Sequence, residues 1–221
     1  MTRVAFIGVG RLGRHLAASL QRAGFDLVVH DRDDTATAAL VEAGACRAAT
    51  PAAAARDADV VVTCLPSPPA VSAVVSGEGG VLETLRTGGT WIDMSTNDRR
   101  ELLRLAALAG EGGVATIEAP VTGGVHLAAS GEITVLLGGD RELVDANRPL
   151  FEAMGGRSFY VGPLGAASDL KVITNMLAFV HLVACGEALM LAKRAGLDLA
   201  QAFEAIAASS SRASCTRPRV R

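Results

Sequence analysis

Short apolar runs alternate with longer amphipathic stretches along the first three quarters of the chain. The apolar runs show no alternation of polar and apolar positions, which is typical of strands buried on both faces of a parallel sheet. The pattern predicts strands at residues 3–7, 27–30, 60–64, 91–94, 115–118, 133–137 and 159–161. It predicts helices at residues 14–24, 33–43, 98–109 and 140–154. Strands and helices that alternate in this way indicate an α/β fold.

The pattern changes after a glycine-proline pair at positions 162 and 163, which interrupts regular structure. A helix over residues 165–195 and a shorter helix over 199–208 follow. The sequence therefore predicts one α/β domain at residues 1–163 and the start of an all-helical domain at 164–208. Residues 209–221 have no apolar periodicity and no acidic side chain, and we expect this tail to be disordered.

The long helix is largely apolar between residues 172 and 192. Asn175, His181 and Glu187 interrupt this stretch, which favours a helix buried on most sides over one that spans a membrane. A single short helical partner leaves much of such a surface uncovered. We therefore expect a second subunit to cover it, in a dimer or a higher homo-oligomer.

Three glycines follow the first predicted strand and open the first predicted helix. Gly8 permits a tight turn, Gly10 lets the backbone approach a pyrophosphate, and Gly13 lets the helix pack closely on the strand. The N–H groups at the start of the helix attract the same anion. Arg11 and Leu12 lie inside this turn and are predicted to contact the same ligand. The spacing indicates a dinucleotide-binding fingerprint.

An acidic residue ends the second predicted strand at Asp31. A carboxylate at this place accepts hydrogen bonds from the ribose hydroxyls of NAD and repels the 2′-phosphate of NADP. The neighbouring Arg32 partly offsets that repulsion. The sequence predicts NAD as the cofactor, with NADP as the alternative.

Composition and charge narrow the class of protein. The chain has 221 residues, of which 50% are hydrophobic and 20% are charged, with a formal net charge of -2. This balance argues against nucleic acid and against an anionic membrane as partners. The four cysteines form no Cys-x-x-Cys pair, and we expect reduced thiols, no metal site and a cytoplasmic location, since no signal peptide begins the chain.

Further candidate residues follow the carboxyl ends of predicted strands, where open α/β sheets bind ligands. They lie at residues 64–66, 93–96 and 118–124. The amides of Gly123 and Gly124 are placed to bind a carboxylate, although an ordinary loop between strands gives the same pattern. We interpret His126 as a loop residue near this site.

Lys171 and Asn175 lie four positions apart near the start of the long helix, and therefore on one face. An apolar setting and a helix N-terminus both lower the pKa of a lysine. Taken alone, a side chain that extends towards solvent explains Lys171 better than an acid-base role.

Five elements in this order resemble the β-hydroxyacid dehydrogenase family: Gly8-Val-Gly-Arg-Leu-Gly13, Leu65-Pro66, Asp93-Met-Ser-Thr96, Ala119-Pro-Val-Thr-Gly-Gly124 and Lys171-x-x-x-Asn175. The resemblance implies a Rossmann-type domain that binds a nicotinamide cofactor and hydride transfer to or from a small hydroxy acid. It implies a general acid or base at Lys171 and a substrate-orienting group at Asn175. It also implies a carboxylate site at Thr122, Gly123 and Gly124, and contacts to the nicotinamide ribose from Leu65, Pro66 and Thr96.

The chain departs from the family pattern at Leu127, where glycine is usual, and at Thr174, where asparagine is usual. Family members also continue through further helices. We therefore expect a truncated or frame-shifted version of a longer dehydrogenase. Two alternatives stay open: an imine reductase-like enzyme, against which Lys171 argues, and a cofactor-binding protein without catalysis.

Overall fold

A computed structural model describes residues 2–209 of the chain. Its strands are β1 (Arg3–Ile7), β2 (Asp26–His30), β3 (Cys46–Arg47), β4 (Val60–Thr63), β5 (Thr90–Asp93), β6 (Ala115–Glu118), β7 (Val121–Thr122), β8 (Thr134–Gly139) and β9 (Arg157–Gly162). Its α-helices are α1 (Gly13–Arg22), α2 (Ala38–Glu42), α3 (Pro51–Ala55), α4 (Pro68–Ser76), α5 (Arg99–Glu111), α6 (Val125–Ser130), α7 (Arg141–Ala146), α8 (Arg148–Met154), α9 (Ala166–Arg194) and α10 (Leu199–Ala208). The predicted tail, apart from Ser209, lies outside the described residues.

The strands form one sheet in the order β3-β2-β1-β4-β5-β6-β8-β7, with β9 beside β8. The first six strands are parallel, and their order 3-2-1-4-5-6 is that of a Rossmann fold. The predicted α/β class is therefore confirmed. The sheet is not parallel throughout, because β8 runs antiparallel to β6 and β7. The short connection through α6 returns the chain without the crossover that a parallel strand needs.

Side chains from both faces of the sheet form the core. Val4 and Phe6 of β1 join a cluster with helices α1 and α8, whereas Ala5 and Ile7 join a second cluster with α4 and α5. Successive residues of a strand point to opposite faces. The buried, non-alternating sequence of β1 follows from the presence of helices on both sides.

The structure divides two of the predicted helices. Residues 33–43 contain a 3-10 segment, Asp34–Thr37, before α2. Residues 140–154 contain α7 and α8, which meet at Asn147. Pro149 explains the second break, because its nitrogen has no hydrogen to donate to a carbonyl in the preceding turn.

Five short α-helices and strands have no counterpart in the prediction: α3, α4, α6, β3 and β7. Proline occurs at the start of both α3 and α4, where the missing N–H costs nothing. Ser67 caps α4 by accepting a hydrogen bond from the N–H of Ala70 at 3.4 Å. The prolines that resemble breakers in the sequence therefore begin helices.

The chain forms two compact units, Met1–Lys171 and Val172–Arg221. The division after residue 163 that the sequence predicts stays a prediction. The described part of the second unit consists of most of α9 and of α10, which Asp198 caps through a 2.9 Å hydrogen bond from the N–H of Gln201.

Helix α9 exposes its apolar side chains beyond Lys171. Phe179 is 65% exposed and Leu182 is 67% exposed. The single chain thus leaves this surface uncovered, as predicted, and its burial by a second subunit stays a prediction. An apolar composition predicts that a helix surface is covered, but it does not identify the chain segment, subunit or membrane that covers it. By length and composition alone, α9 is the one helix among the described residues that is able to cross a membrane; core helices of other proteins share these properties.

Two of the four cysteines, Cys46 and Cys64, are free thiols. The prediction of reduced thiols is confirmed for these two and stays a prediction for the others.

Candidate functional site

The glycine turn after β1 is packed tightly on one side and open on the other. Gly8 has a positive φ of 93°, and a Cβ there would lie 2.4 Å from the carbonyl oxygen of Cys64. A Cβ at Gly13 would lie 2.0 Å from the carbonyl oxygen of Gly8. At Gly10 a Cβ would meet no atom within 4 Å. The turn thus presses its backbone against β4 and α1 and leaves Gly10 open to a ligand.

Backbone donors cluster at this open side. The N–H of Gly8 donates to the carbonyl of His30 at 2.9 Å. Within residues 2–209, the N–H groups of Gly10, Arg11 and Leu12 donate no hydrogen bond to protein atoms, and no side chain caps the start of α1. Free N–H groups at a helix start are a binding site for phosphate, so these residues fit the pyrophosphate of a dinucleotide.

Asp31 lies at the end of β2, beside the glycine turn. Its carboxylate accepts hydrogen bonds from the N–H of Val9 at 2.9 Å and from the N–H of Asp33 at 3.0 Å. A carboxylate has about four acceptor positions, so two backbone bonds leave capacity for ribose hydroxyls. Arg32 follows on the exposed surface. The pair lies where the sequence predicts contact with the adenosine ribose.

A buried polar network joins the ends of β4 and β5. The carboxylate of Asp93, which is 2% exposed, accepts hydrogen bonds from the Thr63 hydroxyl at 2.9 Å, the Ser95 N–H at 3.0 Å and the Asn97 amide at 2.9 Å. The Ser95 hydroxyl in turn accepts a bond from the N–H of Leu65 at 2.9 Å. Asp93 and Ser95 therefore set the path of the loop that contains Leu65 and Pro66.

Burial also shifts the acidity of this network. It raises the pKa of Asp93, against the opposing effect of the hydrogen bonds from Ser95, Asn97 and Thr63. Burial, together with the charge of Asp93, raises the pKa of the Cys64 thiol to about 12. A thiol with so high a pKa is protonated at neutral pH and is therefore a poor nucleophile.

The turn formed by Thr122, Gly123 and Gly124 leads from β7 into α6. The φ angles of Gly123 and Gly124 are 123° and 85°, a region that other residues rarely adopt. A Cβ at Gly123 would lie 2.6 Å from Cδ1 of Leu127, the position that departs from the family pattern. His126 lies on α6 and not in a loop, so that detail of the prediction is wrong; it is exposed near the turn.

Lys171 is the buried amine of the first unit, with 8% of its surface exposed. It lies near the start of α9, and burial lowers the pKa of its amine. A lowered pKa brings a lysine closer to the range in which it exchanges protons near neutral pH. Asn175 follows one turn later on α9 and belongs to the second unit. Thr96 is exposed after β5.

Sequence analysis includes Glu118, at the end of β6, in the candidate segment 118–124 but assigns no role to it. Its carboxylate is 1% exposed and binds the first turn of α9 through Gly165, Ala167 and Ser168. The only sequence signal is an acidic residue after an apolar strand. Among the described residues, no group of three or more metal-binding side chains occurs.

Two family models match the chain. The model described as "NAD binding domain of 6-phosphogluconate dehydrogenase" matches residues 3–162. The model described as "NAD-binding of NADP-dependent 3-hydroxyisobutyrate dehydrogenase" matches residues 165–221.

Known proteins extend this similarity. The chain is 38% identical over 198 residues to the NAD-dependent L-serine dehydrogenase of Pseudomonas aeruginosa, and covers 66% of that protein and 90% of its own length. It is 36% identical to the mitochondrial 3-hydroxyisobutyrate dehydrogenase of Mus musculus, with 89% of this chain and 59% of that protein covered. The chain thus spans about three fifths to two thirds of the length of these relatives.

Among solved structures, 3-hydroxyisobutyrate dehydrogenase of Mycobacterium tuberculosis with L-serine superposes with a TM-score of 0.85 at 32% identity, over 95% of this chain and 71% of that one. The sequence and fold matches agree with each other and with the order of motifs along the chain. The chain belongs to the 3-hydroxyisobutyrate dehydrogenase, or β-hydroxyacid dehydrogenase, family.

Proposed function

We propose that this protein is a dehydrogenase that transfers hydride between NAD and a small hydroxy acid, with Lys171 as the general acid or base. The observation that carries the proposal is a buried lysine, with a pKa lowered by burial, near the start of α9. The motif around it is the one that the family resemblance connects with the acid-base role.

Each group of residues in the proposed site has a separate role in the reaction. Bound NAD supplies the hydride acceptor in oxidation. The amine of Lys171 takes the proton of the substrate hydroxyl during oxidation and returns it to the carbonyl oxygen during reduction. Thr122 and the amides of Gly123 and Gly124 hold the substrate carboxylate, and Asn175 orients the substrate. Leu65, Pro66 and Thr96 border the nicotinamide ribose.

The preference for NAD rests on Asp31. Its carboxylate, held by two backbone N–H groups, repels a 2′-phosphate and accepts bonds from free ribose hydroxyls. Arg32 reduces the discrimination because it offers a cation to the same phosphate. The expected preference is therefore moderate.

The proposal includes a homo-oligomer in the cytoplasm, in which a second copy of the chain covers the exposed apolar part of α9. The chain's net charge of -2 gives no electrostatic attraction to anionic surfaces. Mass measurement of the purified protein by light scattering tests this assignment; a monomer contradicts it.

The decisive experiment is a turnover assay beside a cofactor titration. Oxidation of 3-hydroxyisobutyrate, glycerate and L-serine is measured with NAD and NADP, and reduction of cyclic imines is measured in parallel. Turnover of a hydroxy acid with NAD supports the proposal. Reduction of imines alone identifies an imine reductase, and cofactor binding without turnover of any substrate identifies a non-catalytic binder; both outcomes overturn it.

A further inference from the structure

Glu118 forms the densest set of hydrogen bonds at the start of α9. Its Oε1 accepts from the N–H of Gly165 at 2.6 Å and of Ala167 at 2.9 Å. Its Oε2 accepts from the N–H of Ser168 at 2.9 Å and from the hydroxyl of Ser168 at 2.6 Å. Glu118 is 1% exposed. One buried carboxylate therefore satisfies three of the N–H groups that the first turn of a helix leaves without partners.

The surroundings of Glu118 leave room for a carboxylate in this position. A Cβ at Gly138, the partner of Glu118 in β8, would lie 2.3 Å from Oε1. Gly165 precedes α9 with a φ of 97°, which a residue with a side chain rarely adopts. The two glycines let β8 and the approach to α9 close around the carboxylate.

A second contact holds the same turn from the surface. Arg99, at the start of α5, forms an ion pair with Asp169, but both side chains are half-exposed, and solvent-exposed ion pairs contribute little to stability. The contact to Glu118 is buried and involves a charged acceptor, which forms stronger hydrogen bonds than a neutral one. The first turn of α9 is therefore held mainly by Glu118.

Lys171 lies three residues after Ser168 on the same helix. Residues three apart on a helix are neighbours on its surface, and a helix moves as a rigid rod over so short a distance. A change in the first turn is thus transmitted directly to the amine that the proposed reaction uses.

We propose that Glu118 is a positioning residue for Lys171: its carboxylate fixes the first turn of α9 against the end of β6 and thereby holds the Lys171 amine in its buried place. Only the expected fall in kcat depends on the proposed function of Lys171. The placement of the amine is a property of the fold that is measurable without turnover.

The donors around Glu118 require a carboxylate. All four partner groups are hydrogen-bond donors. The amide of glutamine has one acceptor oxygen, and its NH2 group would face a backbone N–H of the same turn. Glu118→Gln therefore preserves the shape of the side chain and breaks part of the cap.

The experiment compares Glu118→Gln with Ser168→Ala, which removes only the hydroxyl contact, and with Glu152→Gln, which removes a charge from the exposed face of α8. Reductive methylation of Lys171 is followed by mass spectrometry across a pH series. In Glu118→Gln, loss of burial should raise the pKa of Lys171 towards its usual value and lower kcat by about 10²-fold, the cost of misplacing a reacting group by about 1 Å. Affinity for NAD should not change.

Ser168→Ala should raise the pKa of Lys171 and lower kcat by smaller amounts than Glu118→Gln does. Glu152→Gln should change neither the pKa nor kcat. Ser168→Ala also keeps the test informative if Glu118→Gln fails to fold. The inference is overturned if both Glu118→Gln and Ser168→Ala show the same pH dependence of Lys171 methylation and the same kcat as the wild type.

A second arm separates this inference from the proposed function. If a primary amine added to Lys171→Ala restores turnover, Glu118→Gln in that background should cause no further loss, because its effect passes through the missing lysine. A further loss as large as in the wild-type background overturns the positioning role. Full turnover in Lys171→Ala alone overturns the proposed function, and the labelling result still decides the role of Glu118.

Discussion

The carboxylate of Asp31 accepts a hydrogen bond from the N–H of Val9 at 2.9 Å, between residues 22 positions apart in the chain. Val9 lies inside the glycine turn, and Asp31 directly follows β2. The residue expected to bind the adenosine ribose therefore also holds the turn expected to bind the pyrophosphate. This double role makes it possible to separate the charge of Asp31 from its contact with Val9.

Two substitutions at Asp31 should have different effects on cofactor binding. Asp31→Asn keeps an oxygen for the N–H of Val9 and removes the charge that repels a 2′-phosphate. Affinity for NAD should fall about 10-fold or more, as expected for the loss of bonds to a charged group, while affinity for NADP falls less or rises.

Asp31→Ala also removes the contact with Val9, and affinity for both cofactors should fall. Fluorescence titration with NADH and NADPH measures these constants. Equal losses for NADH and NADPH in Asp31→Asn would contradict a charge-based preference for NAD.

Lys171→Met should remove turnover while it preserves the apolar contacts of the side-chain stem. The expected loss in kcat is about 10²- to 10⁴-fold, the usual contribution of a general acid or base. The dissociation constant for NADH should stay at the wild-type value, because the lysine acts on the substrate oxygen. A variant that keeps most of its turnover number would show that Lys171 is a structural residue.

The pH dependence of the two reaction directions should have opposite signs. Burial lowers the pKa of Lys171 below its usual 10.5. Oxidation needs the neutral amine, so its kcat/KM should rise with pH and level off above the lowered pKa. Reduction needs the ammonium form, so its rate should fall as pH rises through the same pKa.

Steady-state rates from pH 6 to pH 10.5 in both directions test this dependence. Parallel profiles would assign the titration to another group. Lys171→Met is the control for titration elsewhere in the protein. Its residual activity should show neither the rise of oxidation with pH nor the fall of reduction with pH.

Most of the sheet could be predicted because its strands are continuous apolar runs. The strands at residues 3–7 and 115–118 have the predicted bounds, and so does the helix at 199–208. The reversal of β8 could not be predicted, since its apolar sequence is that of a parallel strand. Its direction follows from the short path through α6, which is a property of the three-dimensional connection.

The candidate site could be predicted where its residues are adjacent in the sequence. The glycines and Asp31 form such a pattern, and the structure places them at one edge of the sheet. The role of Glu118 could not be predicted, because its partners Gly165 and Ser168 lie 47 and 50 residues away. No local spacing identifies a carboxylate that caps a distant helix.

The last prediction concerns Asp93, whose carboxylate accepts three hydrogen bonds at the ends of β4 and β5. Asp93→Asn places an NH2 group against one of the donors of Thr63, Ser95 and Asn97. One unsatisfied buried donor costs about 1–3 kcal/mol, and the melting temperature should fall by roughly 2–12 °C for a domain of this size.

Ser95→Ala is the matched variant for Asp93→Asn. It removes the hydroxyl that binds the N–H of Leu65 and keeps the backbone bond from Ser95 to Asp93. We expect a smaller loss of stability but weaker binding of NADH, because the Leu65 loop loses an anchor.

The raised pKa of Asp93 predicts how its contribution to stability changes with pH. Because folding raises the pKa of Asp93, its contribution to stability is fully present below about pH 3.9, the ordinary value for aspartate, and is lost as pH rises through the raised pKa. The variant has no such titration, so the advantage of the wild type in free energy of unfolding should shrink as pH rises. Urea unfolding of both proteins from pH 4 to pH 8 measures this difference, and an advantage that grows with pH would show that the three hydrogen bonds outweigh burial and that Asp93 is held as a carboxylate.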